Sequence, residues 1–328
     1  MTKNYKKKIL IIGSNFGKRH YHVLNQNYKF NFYIYSPNIL KKKNKFKKAK
    51  LINNENYLIQ NNSYHTIVCC TNPVYQKKII NKIIKKKIFC KYLMFEKPLS
   101  DDLVLIKKLF KHCLSNEINF HVNFTYSQLK ISKIISKMIS TFNFEKVFFD
   151  LDFFHHYLKE KNNSWKNFIE FGGGVVNYYL IHIIFLFVSI FPKLKIDKIN
   201  VLLNNKVLTG LNIKFKHNNS DIFEICTKLD SLRNVHKYQI IKKGEKVEIY
   251  TKQKDWYKIY NFKVIKKNKI KSINIYENLD DSIKKNYKKL FFKFNKNKLN
   301  NYFNIIYNTQ KICNDINKRI KIYDFKKM

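Results

Sequence analysis

The sequence predicts an α/β chain of two domains, an N-terminal doubly wound parallel sheet followed by an α+β domain with a largely antiparallel open sheet. The chain has 328 residues, about twice a typical domain of roughly 150 residues. Up to residue 122, short apolar runs alternate with longer basic amphipathic runs, the pattern of parallel strands joined by helices. From residue 123 onward, strand-like runs follow one another with few helical segments between them, which is typical of antiparallel sheets.

The first domain, residues 1–122, is predicted to hold five strands and three helices. Each strand is a short run of apolar residues, and each helix is a longer run that is apolar on one face. The predicted strands are Ile9–Ile12, Asn31–Tyr35, Thr66–Cys70, Tyr92–Phe95 and Asn119–Val122. The predicted helices are 17–26, 74–86 and 101–114.

The second domain, residues 123–328, is predicted to be rich in strands and to end in helices. Its predicted strands are Lys146–Phe154, Lys198–Leu203, Leu211–Phe215, Asp221–Leu229 and Val247–Thr251. Residues 281–318 carry apolar side chains at spacings of three and four, which predicts helix, with a C-terminal helix at about 300–318. The apolar run 175–191 is polar at three positions and short for a bilayer, so we expect a buried helix and no membrane span.

The composition is lopsided, with 62 Lys, 3 Arg and a net charge of +43. Such a charge suggests a nucleic-acid or anionic-membrane partner. Phosphate-binding surfaces, however, use Arg freely because its planar fork matches phosphate. Asn, Ile, Tyr and Phe are also in excess, which indicates A/T-rich codons, so we expect no specific nucleic-acid partner.

The remaining composition excludes several classes of protein. At 45% apolar and 16% aromatic residues, the chain is not a disordered polyelectrolyte. Its six cysteines form no C-x-x-C pair, which argues against a disulfide scaffold and for a reducing compartment. The apolar run Ile9–Ile12 is too short for a secretory segment. We therefore expect a cytoplasmic protein that holds no metal.

Five of the seven glycines lie in two places, Gly13 with Gly17 and the run 172–174. The first pair encloses Gly13-Ser14-Asn15-Phe16-Gly17, between an apolar strand and a predicted helix. In that context, helix-start amides can bind the pyrophosphate of a dinucleotide, as in Rossmann-type domains. Asn15 replaces the usual middle glycine, and the alternative is an ordinary strand-to-helix turn.

The end of the second predicted strand indicates which dinucleotide binds. NAD sites place an acidic residue there to hold the ribose 2′-hydroxyl, but no Asp or Glu precedes Glu55. Ser36 occupies the strand end, and Lys41, Lys42 and Lys43 follow it. A hydroxyl with nearby positive charge suits a 2′-phosphate, which predicts NADP over NAD, although lysine is abundant everywhere in this chain.

Two further strand ends carry polar residues. Thr71-Asn72-Pro73 follows the third predicted strand, at the carboxyl edge where such sheets bind ligands. Glu96-Lys97-Pro98 follows the fourth. A partly buried Lys97 beside a nicotinamide could donate or accept a proton, whereas a lysine taken alone is ordinarily solvated.

The second glycine run leads into a helix that carries Tyr178 and His182. These residues are four apart and would share one face of an α-helix. That face could present a phenol and an imidazole to one substrate carbon, with His182 taking a hydroxyl proton. The alternative is a core histidine on an apolar helix.

The order and spacing of these motifs over residues 5–320 resemble the glucose-fructose oxidoreductase and inositol dehydrogenase family (Gfo/Idh/MocA). The resemblance implies that residues 13–17 bind pyrophosphate, that Ser36 lies at the adenosine ribose, and that Thr71, Asn72 and Pro73 line the nicotinamide half. It implies that Glu96 and Lys97 border the cofactor, that Lys97 is the catalytic or substrate-orienting lysine, and that His182 transfers the proton. Tyr126 and Trp165 are candidates to stack on a sugar ring.

The resemblance further implies NAD(P)-dependent hydride transfer to or from a sugar or nucleotide sugar, as in surface-polysaccharide sugar biosynthesis, by a homodimer or homotetramer. Four positions depart from the family pattern: Asn15, Gln76 in place of a His, Tyr178 in place of an Asp, and Phe185 in place of another Asp. Tyr178 could itself donate a proton. The alternative is an altered or inactive dinucleotide-binding module.

Overall fold

The computed structural model describes residues 8–37, 39, 44–60, 63–141, 144–154, 169–204, 207–218, 220–231, 235–242, 245–251, 259–266, 269–276 and 278–325. Lys41, Lys42, Lys43 and Trp165 lie outside the described residues.

The described residues form two compact units. The first comprises those within Met1–Thr125, Phe168–Tyr178 and Asp280–Gln310, and the second those within Tyr126–Asn167, Tyr179–Leu279 and Lys311–Met328. The division thus falls at Thr125 instead of residue 122. The described residues of 169–178 and 280–310, which the sequence prediction placed in the second domain, are grouped with the first unit. Gly172 lies against Pro73, and Tyr287 shares a buried cluster with Ile9.

The first unit is built on six parallel strands in the order β3-β2-β1-β4-β5-β6. They are β1 (Lys8–Ile12), β2 (Asn31–Tyr35), β3 (Ala49–Ile52), β4 (Ser63–Cys69), β5 (Phe89–Glu96) and β6 (Asn119–Asn123). Ile12 pairs with Tyr35 on one side and with Cys69 on the other, so three strands end at the same edge. Candidate site residues follow these ends.

Eight α-helices occur among the described residues. They are α1 (Gly17–Asn27), α2 (Asn56–Gln60), α3 (Pro73–Ile84), α4 (Leu103–Ser115), α5 (Lys130–Thr141), α6 (Ile181–Ile190), α7 (Leu279–Leu290) and α8 (Lys296–Phe325).

The core of the first unit packs α1 and α7 against the central strands. Tyr21 and Leu24 of α1 and Tyr287 and Leu290 of α7 share one buried apolar cluster with Ile9. Continuous apolar strands such as β1 are buried on both faces, which is characteristic of parallel sheets covered by helices. The sequence pattern of this domain is therefore a consequence of two-sided burial.

The second unit is built on eight strands in the order β14-β13-β12-β11-β7-β10-β9-β8. They are β7 (Lys146–Phe154), β8 (Lys195–Asn204), β9 (Val207–His217), β10 (Ser220–Ser231), β11 (Val235–Lys242), β12 (Glu245–Tyr250), β13 (Ile259–Lys266) and β14 (Lys269–Tyr276). Only the β7–β10 pairing is parallel among these described strands. The predicted fold class, a parallel sheet followed by a largely antiparallel one, is confirmed.

The apolar run 175–191 is a helix packed on this sheet. A π-helical turn, Val176–Leu180, leads directly into α6, whose Phe187 stacks on Phe223 and meets Phe149 edge-on. The run is therefore part of a protein core. Among the described residues, no helix combines the length and apolar character needed to cross a bilayer.

Several predicted elements need correction. The strands β3, β11, β13 and β14 were not predicted. Strand β3 is short and follows a lysine-rich stretch, so its residues show no clear apolar pattern. The helical stretch 281–318 is two helices, α7 and α8, because residues 291–295 are not helical. The predicted C-terminal helix at about 300–318 is the middle of α8.

Candidate functional site

The turn between β1 and α1 adopts the conformation expected of a phosphate-binding loop. Gly13 has a φ of +100° and donates its amide to the Tyr35 carbonyl at 2.8 Å. A Cβ at Gly13 would lie 2.5 Å from the Cys70 carbonyl oxygen. Phe16, at the start of α1, supplies no side-chain cap, and the first turn has no acidic residue. The positive end of the α1 dipole is thus not neutralised by a local carboxylate, as an anion-binding helix start requires.

The predicted adenosine side brings two hydroxyls together. Ser14 Oγ donates to Ser36 Oγ at 3.3 Å. The first acidic residue of the chain, Glu55, accepts from Tyr75 Oη at 3.1 Å and from Lys82 Nζ at 2.5 Å. The Lys82 ammonium holds the pKa of Glu55 below its usual range. Glu55 is therefore already hydrogen-bonded to Tyr75 and Lys82, and the polar groups at the end of β2 are the hydroxyls of Ser14 and Ser36.

The Thr71-Asn72-Pro73 turn begins α3. Asn72 Oδ1 accepts from the Tyr75 amide at 2.8 Å, and Pro73 occupies the first helical turn. An Asn cap followed by Pro is a strong helix start. Gln76 is fully buried and donates Nε2 to the carbonyls of Thr71 at 3.0 Å and Glu96 at 3.1 Å. Gln76 thus ties this turn to the end of β5.

Glu96, the last residue of β5, is held by buried donors. His20 Nε2 donates to Glu96 Oε1 at 2.7 Å, and Asn123 Nδ2 donates to the same oxygen at 2.5 Å. His20 Nδ1 accepts from Tyr287 Oη at 2.6 Å, because a carboxylate on the other ring nitrogen fixes the tautomer. Glu96 is thus clamped by α1, β6 and, through His20, by α7.

His20, Cys70 and Glu96 also place three metal-ligand atoms within 4.8 Å of one another. The 2.7 Å contact between His20 and Glu96 is nevertheless a hydrogen bond. Burial raises the pKa of the Cys70 thiol well above its usual value, so this sulfur holds the proton that a metal ion would displace. The group is better described as a hydrogen-bonded His20–Glu96 pair beside a protonated thiol than as a metal centre.

Lys97 follows Glu96 and reaches the segment after the glycine run. The Lys97–Pro98 peptide bond is cis. Lys97 Nζ donates to the Tyr178 carbonyl and lies 4.4 Å from the centroid of the Tyr178 ring. The first unit therefore brings together Lys97 and Tyr178, two of the residues that the sequence singled out. A half-buried ammonium beside a phenol can hold or pass a proton.

The glycine run supports this contact. Gly172 has a φ of +77°, and a Cβ there would lie 2.6 Å from Pro73 Cγ. The run thus packs on the Thr71-Asn72-Pro73 turn, closer than any side chain would allow. The π-helical turn that follows contains Asn177, whose Oδ1 is buried without a hydrogen-bond partner among the described residues. Single π-turns occur frequently at functional sites.

The second unit holds the other two described candidates. The rings of Tyr126 and His182 lie 6.4 Å apart, tilted by 50°. Tyr126 is 2% exposed, the ordinary environment of a core tyrosine, and its stacking on a sugar remains a prediction. His182 lies in the first turn of α6, half-buried. Because the preceding turn is π-helical, the four-residue spacing of Tyr178 and His182 does not follow the α-helical rule from which a shared face was predicted.

Sequence reasoning missed His20 and Asn123 as parts of this site, and it named Gln76 only as a departure from the pattern of the family that the sequence resembles. His20 lies three residues after Gly17, on the buried face of α1, and that position was the one available signal. Asn123 and Gln76 carry no local motif, because their role depends on strand ends that come together only in the sheet.

No protein-family sequence model matches the chain, and no curated protein sequence matches it. Solved structures do match. A super-repressor mutant of Gal80p from Saccharomyces cerevisiae gives a TM-score of 0.76 at 13% identity and covers 97% of this chain and 96% of its own. KijD10, a 3-ketoreductase from Actinomadura kijaniata in complex with NADP and TDP-benzene, gives 0.73 at 10% identity over 94% and 97%. Levoglucosan dehydrogenase in complex with NADH and levoglucosan gives 0.72 at 11% identity over 97% and 98%.

At these identities the likeness establishes the fold. The chain has the two-domain fold of Gfo/Idh/MocA-type oxidoreductases and of the Gal80p regulator over nearly its whole length. The fold that the sequence resemblance implied is thus confirmed.

Proposed function

We propose that the protein is an NADP(H)-preferring oxidoreductase that transfers a hydride between nicotinamide and a carbon of a sugar or nucleotide sugar. The observation that carries this proposal is the contact of Lys97 with Tyr178 at the carboxyl edge of the parallel sheet. The same edge holds the Gly13 turn. A glycine turn for phosphate and a lysine-tyrosine pair for protons are what this reaction needs.

The residues of the first unit fit a dinucleotide. The uncapped start of α1 would receive the pyrophosphate, and the Gly13 turn leaves room for close backbone approach. The Ser14 and Ser36 hydroxyls would face the adenosine ribose. Glu55 is paired with Lys82, and no Asp or Glu precedes it in the sequence. No unpaired carboxylate of these residues would therefore repel a 2′-phosphate at the end of β2, which favours NADP over NAD.

When bound, the nicotinamide ring accepts or supplies the hydride at C4. In the oxidation direction, the substrate hydroxyl would also lose a proton, which Tyr178 Oη as a phenolate or Lys97 Nζ as a neutral amine would take; in reduction the same group would return it. Lys97 orients the hydroxyl by donating to its oxygen, while its bond to the Tyr178 carbonyl fixes the ammonium. His182 stays a candidate for the same proton. A well-placed acid–base group contributes about 10²–10⁴ in rate.

Lys97→Ala tests this proposal, with Lys91→Ala as the matched control because Lys91 is an exposed lysine of β5, the strand that directly precedes Lys97. We expect Lys97→Ala to bind NADPH like the parent protein and to lose about 10²–10⁴ in turnover on a polyol or nucleotide sugar that the parent oxidises. Lys91→Ala should retain both. Full turnover by Lys97→Ala with normal NADPH binding would refute the mechanism.

The finer expectations belong to the same proposal. We place the reaction in surface-polysaccharide sugar biosynthesis, in the cytoplasm, catalysed by a homodimer or homotetramer. Sedimentation analysis of the purified protein gives the oligomeric state directly.

A second function is favoured by the match to Gal80p, which is described in Kluyveromyces as a transcriptional regulator. In that case the chain binds a dinucleotide and does not turn over. Asn15 and Tyr178, which depart from the family pattern, agree with it. A screen of polyols and nucleotide sugars separates the two functions, because reduction of bound NADP by any of them identifies an enzyme.

A further inference from the structure

Glu96 is the meeting point of two hydrogen-bond chains within the first unit. One runs from Tyr287 Oη to His20 and on to Glu96 Oε1, with contacts of 2.6 and 2.7 Å. The other starts at His121. Its Nε2 donates to Asn286 Oδ1 at 2.9 Å, and Asn286 Nδ2 donates to Asn123 Oδ1 at 2.6 Å. Asn123 Nδ2 then donates to Glu96 Oε1 at 2.5 Å.

Every donor in both chains points toward the carboxylate. Glu96 can only accept when ionised, so His20 and Asn123 must donate, and this fixes the direction of each earlier bond. Burial lowers the pKa of His121 to about 4, so its ring is neutral, and Nε2 is the donor because it faces Asn286 Oδ1, which can only accept. Bonds aligned in one direction polarise each other and strengthen the last contact. Glu96 Oε1 therefore accepts the last bond of two hydrogen-bond chains whose members come from distant parts of the sequence.

Both chains pass through α7. Asn286 and Tyr287 are adjacent, fully buried residues of that helix, and each serves one chain. The helix α7, which lies about 190 residues after Glu96 in the sequence, thus helps to hold the Glu96 carboxylate, and Glu96 immediately precedes Lys97. Gln76 holds the carbonyl of the same residue, so Glu96 is fixed at its side chain and at its backbone.

We propose that α7 is a positioning element for Lys97. Tyr287 acting through His20, and Asn286 acting through Asn123, hold Glu96 in place, and Glu96 holds Lys97 where its ammonium reaches the Tyr178 carbonyl. These residues act through Glu96 and not by contact with cofactor or substrate. The catalytic consequence rests on the function proposed above, whereas the positioning itself does not.

Tyr287→Phe and Tyr302→Phe are a matched pair of variants. Each removes one phenol hydroxyl from a helix of the first unit; the Tyr302 hydroxyl bonds the backbone of Val122, whereas that of Tyr287 bonds His20. Asn286→Ala interrupts the second chain. All three full-length proteins are compared with the parent by thermal melting and by circular dichroism, so that a loss of folding is recognised.

The position of Lys97 is measured by reductive methylation with isotope-coded formaldehyde, followed by peptide mass spectrometry, with Lys91 as the internal standard. We expect Lys97 to react about two- to tenfold faster in Tyr287→Phe and in Asn286→Ala, the range that one lost hydrogen bond gives, and at the parent rate in Tyr302→Phe. Parent-like reactivity of Lys97 in either folded variant would overturn the proposal, as would an equal increase in Tyr302→Phe.

NADPH titration separates this result from the proposed function. Failure of the parent protein to bind NADPH refutes the enzyme and leaves the labelling result intact. If the parent turns over a sugar, Tyr287→Phe should lower kcat, expressed per folded protein from the melting and circular dichroism data, by a similar factor while the KM for NADPH is unchanged. Equal changes in kcat and in the KM for NADPH count against positioning.

Discussion

Replacement of Gly13 by Ala should be far more harmful than the same replacement at Gly17, four residues along the same loop. At Gly13 the backbone has a φ of +100°, and the new Cβ would lie 2.5 Å from the Cys70 carbonyl oxygen. The backbone strain costs about 1–2 kcal/mol, and the enforced shift of a neighbouring strand costs about 1–3 kcal/mol. We therefore expect Gly13→Ala to destabilise the first unit by about 2–5 kcal/mol.

Gly17 is a glycine of the same loop, but its φ is not positive and its nearest neighbour is a side chain. A Cβ at Gly17 would lie 2.8 Å from Ile11 Cγ2, its nearest neighbour, so the buried, β-branched Ile11 side chain would have to shift, at a cost of about 1–3 kcal/mol. Alanine, however, favours the helix that starts there by about 0.5–1 kcal/mol. The net effect of Gly17→Ala is thus at most about 2.5 kcal/mol.

Thermal melting followed by circular dichroism, with and without NADPH, measures both variants. The expected loss at Gly13 corresponds to roughly 4–20 °C in a unit of this size, and NADPH should no longer raise the melting temperature. Equal melting temperatures for the two variants would refute the steric reasoning, because it assigns the difference to one φ angle and one rigid carbonyl.

Three further variants probe the site. Ser36→Asp should weaken NADPH binding relative to NADH by about tenfold or more, because the new carboxylate repels a 2′-phosphate; an unchanged ratio in fluorescence titrations would contradict the adenosine assignment. Tyr178→Phe should lower kcat by about 10²-fold without changing the KM for NADPH, because Lys97 keeps its bond to the carbonyl of residue 178. If turnover is retained, the proton acceptor is Lys97 or His182 instead of Tyr178. Burial lowers the pKa of His121 to about 4, so between pH 6.5 and 4 the unfolded chain binds more protons than the folded chain, and stability falls as pH falls. At pH 5 the loss of stability amounts to about 2 kcal/mol. His121→Gln should abolish this loss when urea unfolding is compared at pH 7.5 and pH 5.

The parallel sheet and its strand-end motifs were predictable because each depends on local sequence. A buried strand is a continuous apolar run, and the Gly13 turn, the Asn72 turn and Lys97 all follow such runs directly. The sequence therefore places them at one sheet edge once the strands are recognised as parallel. Strand β3 escaped because a four-residue strand after many lysines has no clear periodicity.

The buried hydrogen bonds that hold the site residues in place could not be predicted from the sequence, and the reason is physical. His20 and Tyr287 are 267 residues apart, and nothing in either segment specifies the other. Buried polar partners are selected by shape and hydrogen-bond geometry in the folded state. The π-helical turn Val176–Leu180 before His182 was likewise not predicted, because the sequence pattern was interpreted as a regular α-helix.

The strand order of the first unit separates the places where the protein can be altered from those where it cannot. Loops that leave the carboxyl ends of the strands carry the candidate site, whereas the returns from α3 to β5 and from α4 to β6 lie at the opposite edge. Those returns are exposed and turn at Lys86 and Glu117, both with positive φ. A fluorescent label or an inserted peptide there would leave the chemistry untouched, which offers a handle for watching ligand binding in the intact protein.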